Sequence, residues 1–269
     1  MILINKQPLI SVVITTFNRK SLLKETLDSI QKQSFTDFEI IIVDNYSEDK
    51  TKNFILNHPN KKIRFYQNKN DGIIAINRNF GIKKAKGKYI AFCDDDDLWE
   101  TDKLHRQIDF IKHHNISLCY SNAKSFNDNG IICEKYVRRV VKKSHFTKLL
   151  WGNYIPNSSV IVLKKCFKDL GMLNEENKIR EDYDMWLRIS EKYLIGGLDE
   201  SLISYRIHSK NNAFSRTKET LKSIRTILNI KDIIFISNIR FFFVISFHSI
   251  KFIFYFMREN FLLKNIFYK

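Results

Sequence analysis

Residues 89–99 read YIAFCDDDDLW, a short apolar strand running into four consecutive aspartates, Asp94 to Asp97, in a 269-residue chain of formal net charge +16. Two carboxylates 4 Å apart repel by about 4 kcal/mol at an effective dielectric of about 20, the value typical near a protein surface. Acids crowded at a strand end therefore call for a cation, and aspartate oxygens suit hard divalent ions such as Mg²⁺ or Mn²⁺. Mg²⁺ characteristically takes only one or two protein carboxylates and leaves its other positions to water and substrate phosphates. The competing reading is an acidic turn or a helix N-cap, with Leu98, Trp99 and Leu104 opening the helix.

Upstream of the aspartates, strand and helix signals alternate. Residues 9–17 (LISVVITTF) are a β-branched run, and residues 21–30 carry Leu22, Leu23, Leu27 and Ile30 at helical spacing. Strands follow over 38–43, 62–66 and 88–93, with helices over 49–57 and 73–84 between them. Near-continuous apolar strands separated by helices predict a mainly parallel sheet covered on both faces. In such sheets ligands bind beyond the carboxyl ends of the strands, where residues 15–19, 44–49 and 94–97 fall and should share one crevice. Thr15 offers backbone and hydroxyl hydrogen bonds there, and Phe17 offers either a flat face for a base or a packed aromatic. Asp44 can accept from a base imide or a ribose hydroxyl, while Ser47 caps the next helix. Arg78, one helix before the aspartates, can pair with them or with a diphosphate, or decorate the surface. No segment matches GxGxxG or GxxxxGK[ST], so a dinucleotide or P-loop site lacks its phosphate-cradling glycines.

With 44% hydrophobic and 13% aromatic residues, the chain can bury one sizeable core and is not a disordered protein. Cys93, Cys119, Cys133 and Cys166 fit neither a Cys-x-x-Cys motif nor a disulfide framework, which points to a reducing cytoplasm. The N-terminal residues show no basic region ahead of a long apolar run and no small-residue cleavage site, so no signal peptide is expected. Further on, residues 101–113 predict an amphipathic helix, 116–126, 131–137 and 158–163 strands, and 164–170 a short helix. In residues 180–188 (REDYDMWLR), Glu181 and Asp182 precede a helical stretch, as N-terminal caps or ion-pair partners of Arg180 or Arg188 would.

Four segments, ISVVITTFNR (10–19), FEIIIVDNYSED (38–49), NDGIIAINRNFGIKKAKGKYIAFCDDDDLW (70–99) and REDYDMWLR, stand in the order and near the spacing of the family 2 glycosyltransferases with the GT-A fold. The resemblance covers about residues 8–210. It implies an α/β, Rossmann-like catalytic domain over 1–210, with a nucleotide-binding half to about residue 100 and an acceptor half over 101–210. It implies that Thr15, Phe17 and Asp44 hold the nucleotide, that Asp94 and Asp95 lie near the ribose and metal, and that Asp96 ligates Mn²⁺ or Mg²⁺. Asp97 with Leu98 and Trp99 resembles the family's trailing Asp-x-Trp, with a structural role. Asp182 becomes the general base that deprotonates the acceptor hydroxyl, and Glu181 positions it or the acceptor. SYRIHSKNN (204–212) resembles the family's Tyr-Arg-x-His segment, which would bring His208 to the metal or diphosphate; a lone histidine is otherwise a solvated or core residue. A single displacement with a base opposite the leaving group inverts the anomeric centre, and no Ser-His or Cys-His nucleophile signature is recognisable.

Residues 211–269 form a basic, aromatic-rich extension. Between Lys210 and Lys269 eleven Lys and Arg stand against three acids, 11 − 3 = +8, half of the net charge. The longest stretch there without Lys or Arg inside the apolar run, Phe241 to Ile250, has ten residues, too few to span a bilayer. On a helix Arg240, Lys251 and Arg258 would stack in one narrow stripe opposite Phe and Ile, the pattern of a helix lying in an anionic membrane interface through residues 233–258. The alternative is a C-terminal amphipathic helix packed on protein. The expectation is a metal-dependent inverting transferase that takes a nucleotide-diphospho-sugar, leaning towards UDP, to a lipid-linked saccharide in bacterial surface-polysaccharide assembly at the inner face of the cell membrane. A sugar-nucleotide nucleotidyltransferase would carry a Gly-rich, Arg-containing loop after the first strand, and TTFNRKSLL has no glycine. A nucleic-acid-binding protein would not set four acids in its cleft or its charge beside an apolar helix, so no nucleic-acid partner is expected.

Overall fold

A computed structural model describes residues 7–133, 145–176 and 180–208. The chain divides into two compact units, Met1–His145 with Tyr154–Ile207, and Phe146–Asn153 with His208–Lys269. The first carries the sheet and the aspartates. Its elements begin with β1 (Ile10–Thr16), α1 (Lys20–Gln31), β2 (Phe38–Asp44), α2 (Thr51–Leu56), β3 (Ile63–Gln67), α3 (Ile74–Lys84) and β4 (Tyr89–Asp94). Then come β5 (Leu98–Trp99), α4 (Lys103–His114), β6 (Leu118–Asn127), β7 (Gly130–Cys133), α5 (His145–Leu149), of which only His145 belongs to this unit, and a 3-10 turn at Asn157–Ser159. The remaining elements are β8 (Ile161–Leu163), α6 (Lys165–Leu170), α7 (Glu181–Lys192) and β9 (Ile195–Arg206).

The strands run in the order β3-β2-β1-β4-β8-β6-β9-β5, with β7 paired to β6. β3, β2, β1 and β4 are mutually parallel, as the near-continuous apolar runs predict, and β6 pairs parallel to β9. β8 joins these two groups antiparallel to both β4 and β6. Alternate residues sort the helices onto two faces. Ile10, Val12 and Ile14 pack with Leu23, Leu27 and Ile30 of α1 and Leu104, Ile108 and Ile111 of α4. On the other face Val13 lies under Gly81 of α3, and Phe92 meets Phe167 of α6 and Trp186 of α7.

Register places the chemistry at one edge. Thr15 is paired with Asp94 and Thr16 with Asp44, so the ends of β1, β2 and β4 are level. Two local expectations change, and one further strand is present. Leu98 and Trp99 form a two-residue strand on β9 instead of opening a helix, and the helix starts at Lys103. The strand expected over 158–163 is a 3-10 turn followed by three strand residues, because Ser159 Oγ donates back to the Pro156 carbonyl and Ser158 Oγ accepts from the Asp94 amide at the end of β4. A twelve-residue strand, β9, runs where Asp199 and Glu200 break the apolar pattern. Residues 134–137 of the expected strand over 131–137, and the basic extension with its proposed membrane helix, lie outside the described residues. Among the described residues no helix is long and apolar enough to cross a membrane.

Candidate active site

The loops after β1 and β2 are stitched together. Asn18 N donates to Ser47 Oγ at 2.8 Å, and Glu48 N donates back to Asn18 Oδ1 at 2.8 Å. Asp44 is fully buried and accepts from Ser47 N at 3.1 and 3.2 Å, from Ser47 Oγ, and from Gln67 Nε2 at 3.1 Å. These bonds fill the acceptor sites of a carboxylate, so Asp44 shapes the turn, and a direct bond to a base requires one of them to yield. Phe17 is 51% exposed, an open face and not a packed core aromatic. Tyr46 is 56% exposed and holds a left-handed backbone (φ 60°), a conformation that costs on the order of 1 kcal/mol outside glycine.

Arg78 is the hub of the next layer. It rises from α3 almost fully buried, with Nη2 donating to Asp94 Oδ1 at 2.6 Å and Nη1 to Glu181 Oε1. Burial works against the cation, but Asp94, Glu181 and Asp182 outweigh it and raise the Arg78 pKa further. One guanidinium thereby joins the end of β4 to the start of α7. Asp94 also accepts from Asn157 Nδ2 at 2.9 Å, and its amide donates to Ser158 Oγ at 2.9 Å.

The four aspartates are not equivalent. Asp94 keeps 30% of its side chain exposed. Asp95 and Asp96 both accept from Arg19 Nη1, at 3.0 and 2.8 Å. Burial, with Asp96 adding repulsion, pushes Asp95 up to about 6 although Arg19 opposes the shift. Asp97 is fully buried and accepts from Ser158 Oγ at 2.5 Å and Arg206 N at 3.0 Å, while Arg206 Nε bonds the Asp96 carbonyl at 3.0 Å. Burial, then repulsion from Asp94, raises Asp97 well above the carboxylate range.

At the start of α7, Glu181 is buried and Asp182 half-buried. Burial pushes Glu181 up to about 7, with Arg78 opposing and Asp182 adding to the rise. Asp182 is raised by burial and by Asp94, with Arg78 pulling back, and its Oδ1 accepts from Tyr183 N at 2.7 Å. Two adjacent acids at a helix N-terminus are favoured by the helix dipole.

The structure thus gathers Thr15, Asp44, Arg78, Asp94, Asp95, Asp96, Glu181 and Asp182 at one end of the sheet. Exposed His208 belongs to the second unit. Arg19, Asn157, Ser158 and Arg206 went unassigned from sequence. Arg19 and Arg206 lay inside the motif segments, where their charge was a visible signal; the polar turn at 157–159 carried none. Among the described residues no three His, Cys, Asp or Glu side chains converge as a metal cage. The donor set nevertheless fits a hard divalent ion that completes its shell from a diphosphate: Asp96, with the partly open Asp94, supplies the one or two carboxylates such an ion needs.

Residues 11–162 match the profile of Glycosyl transferase family 2. An uncharacterised glycosyltransferase of Rickettsia felis is 32% identical over 206 residues, 76% of this chain and 34% of its own. The chain therefore spans about a third of that relative's length. The Escherichia coli protein WfgD, named as a UDP-Glc:α-D-GlcNAc-diphosphoundecaprenol β-1,3-glucosyltransferase, is 29% identical over 216 residues, 78% of this chain and 82% of WfgD. The crystal structure of Staphylococcus aureus TarS 1–349 in complex with UDP-GlcNAc superposes with a TM-score of 0.66 at 22% identity, covering 82% of this chain and 66% of that one, a likeness of fold.

Proposed function

The chain belongs to glycosyltransferase family 2, with the GT-A fold, and from that membership we propose that it moves a sugar from a nucleotide-diphospho-sugar, UDP-linked, to a saccharide hydroxyl with inversion at the anomeric carbon. The observation that carries the reading is Arg78, which ties a carboxylate at the nucleotide-side end of β4 to a carboxylate beside the proposed base on α7. That bridge sets the donor end and the acceptor end of the reaction at a fixed separation.

In the proposed reaction Asp182 takes the proton of the acceptor hydroxyl. Its raised pKa brings it closer to the working pH, which is where a general base is most effective. The acceptor oxygen forms its bond to the anomeric carbon as the bond to the diphosphate oxygen breaks, and the electron pair leaves with the nucleoside diphosphate. Glu181, fixed by Arg78, positions Asp182. Phe17 and the loop shaped by Asp44 receive the base, while Thr15, Asp94 and Asp95 border the ribose and diphosphate. A Mn²⁺ or Mg²⁺ ion held by Asp96 would supply neutralisation of the charge on the leaving diphosphate.

The WfgD name supports a lipid-linked saccharide as acceptor, in bacterial surface-polysaccharide assembly. The proposed organisation is a catalytic part to about residue 210 and a basic extension over 211–269 that holds the enzyme at the cytoplasmic face of the membrane. Incubating the protein with Mn²⁺ and a panel of UDP- and GDP-sugars, then reading the anomeric coupling of the product by NMR, tests donor and stereochemistry together. Asp182→Asn should lower turnover by about 10²–10⁴-fold at an unchanged melting temperature, as loss of a general base does. Undiminished turnover by that variant would overturn the assignment.

A further inference from the structure

Arg19 closes the loop after β1 and precedes α1, where its carbonyl accepts from Leu23 N at 2.9 Å. Its neighbour Asn18 is pinned to the loop after β2 through Ser47 and Glu48. The backbone here is held, yet the Arg19 side chain is 45% exposed. A single nitrogen, Nη1, serves both Asp95 and Asp96, whose side chains are only 7% and 13% exposed. Arg78 differs on each count, being buried and gripped by carboxylates from two separate elements.

Resting on the proposed metal role of Asp96, we infer that Arg19 is an exchangeable counter-ion that makes metal binding contingent on the donor diphosphate. Asp96 Oδ2 already accepts from Arg19, and a divalent ion on the same carboxylate meets a like charge within a few ångströms. A metal arriving alone must push the guanidinium into water. A diphosphate arriving alone meets the aspartates. Arriving together they exchange partners: the metal takes Asp96, and the released guanidinium takes phosphate oxygens, which its planar fork matches as well as it matches carboxylates. Asp96 trades one cation for another and Arg19 trades carboxylate for phosphate, with Asp95 alone giving up its ion pair, so metal and diphosphate each strengthen the binding of the other by the same factor. The reach and exposure of Arg19 suit this exchange; those of Arg78 do not.

The test is Mn²⁺ binding to the full-length protein, followed by the electron paramagnetic resonance signal of the free ion, with and without UDP, and with GDP as the alternative diphosphate. Wild type should bind Mn²⁺ weakly alone and about tenfold or more tightly with the nucleotide, within the usual range of coupling between sites. Arg19→Gln should bind Mn²⁺ alone more tightly than wild type, and its coupling to nucleotide should fall by about threefold or more, the remainder coming from phosphate oxygens on the ion. Arg19→Lys, which keeps the charge without the fork, should restrain Mn²⁺ alone as wild type does but lose part of the coupling. Melting curves confirm that each variant is folded. Equal Mn²⁺ affinity of wild type and Arg19→Gln in the absence of nucleotide overturns the role of Arg19 while leaving a nucleotide-dependent metal site in place. No saturable Mn²⁺ binding by wild type with either nucleotide overturns the metal reading itself, and this inference with it.

Discussion

Lys103, the first residue of α4, is fully buried with Nζ 4.0 Å from the centre of the Trp99 ring and no hydrogen-bond partner for that atom among the described residues. Burial pulls its pKa from 10.5 down to about 7, with Cys93 and Cys119 opposing. The unfolded chain keeps the proton up to its ordinary pKa and the folded chain releases it near 7, so between those values the unfolded state binds more protons and stability rises with pH. The slope reaches up to about 1.4 kcal/mol per pH unit. Lys103→Met keeps the volume without the charge and should stabilise the protein by about 1–3 kcal/mol at pH 7. Urea unfolding at pH 7 and 9 checks both statements, since wild type should recover most of the deficit at the higher pH. A variant less stable than wild type at both would mean that the cation over Trp99 is net favourable. The acids on α7 make a second prediction. Asp182 adds to the rise of Glu181 to about 7, so Asp182→Asn removes a like charge and should lower the Glu181 pKa. Carboxyl ¹³C NMR titration of the variant against wild type checks this, and a Glu181 pKa that stays in place would show that burial alone raises it. These acids, Arg78 and the aspartates were legible in the sequence because charge stands out against apolar segments. The charge of Arg19 was visible but its partners were not, and Ser158 carried no signal, because what they do is decided by which loop faces them: the Ser158 hydroxyl lies between the Asp94 amide and the Asp97 carboxylate.

Between elements, the contact that sets the position of Arg78 is the seat of α3 on β1. A Cβ placed on Gly81 would come 2.5 Å from Val13 Cγ1, so the helix lies as close to the strand as a missing side chain allows. Gly81→Ala gains about 1 kcal/mol of helix propensity, but overpacking typically costs about 1–3 kcal/mol and should win. We expect a net loss of about 1 kcal/mol in urea unfolding, partly recovered by adding Val13→Ala, which opens the space the new methyl needs. Additive losses in the double variant would show that the two positions do not share that space. The same level explains which elements could be foreseen. β1, β2 and β4 are apolar almost throughout and announce themselves as buried parallel strands. β9 hides because its middle residues, Asp199 and Glu200, leave the core where its pairing with β6 shifts register, so no steady alternation marks it. β5 is two residues long and exists only because β9 lies beside it. Tertiary pairing makes both strands, and a one-dimensional pattern does not carry it.

Across the whole molecule the charge is strongly asymmetric, with acids gathered at the carboxyl ends of β2 and β4 and half of the net +16 in the last sixty residues. The proposed lipid-linked acceptor would place the enzyme where the lipid is, and polybasic segments add about 1 kcal/mol of attraction per Lys or Arg near an anionic surface. Arg240, Lys251 and Arg258 lie among the aromatic residues of 233–258, so neutralising all three to Gln should weaken binding by about 3 kcal/mol, or about a hundredfold. The measurement is co-sedimentation of the full chain with phosphatidylglycerol vesicles, compared with phosphatidylcholine vesicles and with duplex DNA at the same ionic strength. Preference for the anionic vesicles, lost in the triple variant and weakened by salt, supports the interfacial helix, because exposed charges are screened over a Debye length of about 8 Å at physiological ionic strength. Equal binding of wild type and triple variant would place this segment against protein, and tighter binding to DNA than to either vesicle would return the excess charge to a nucleic-acid partner.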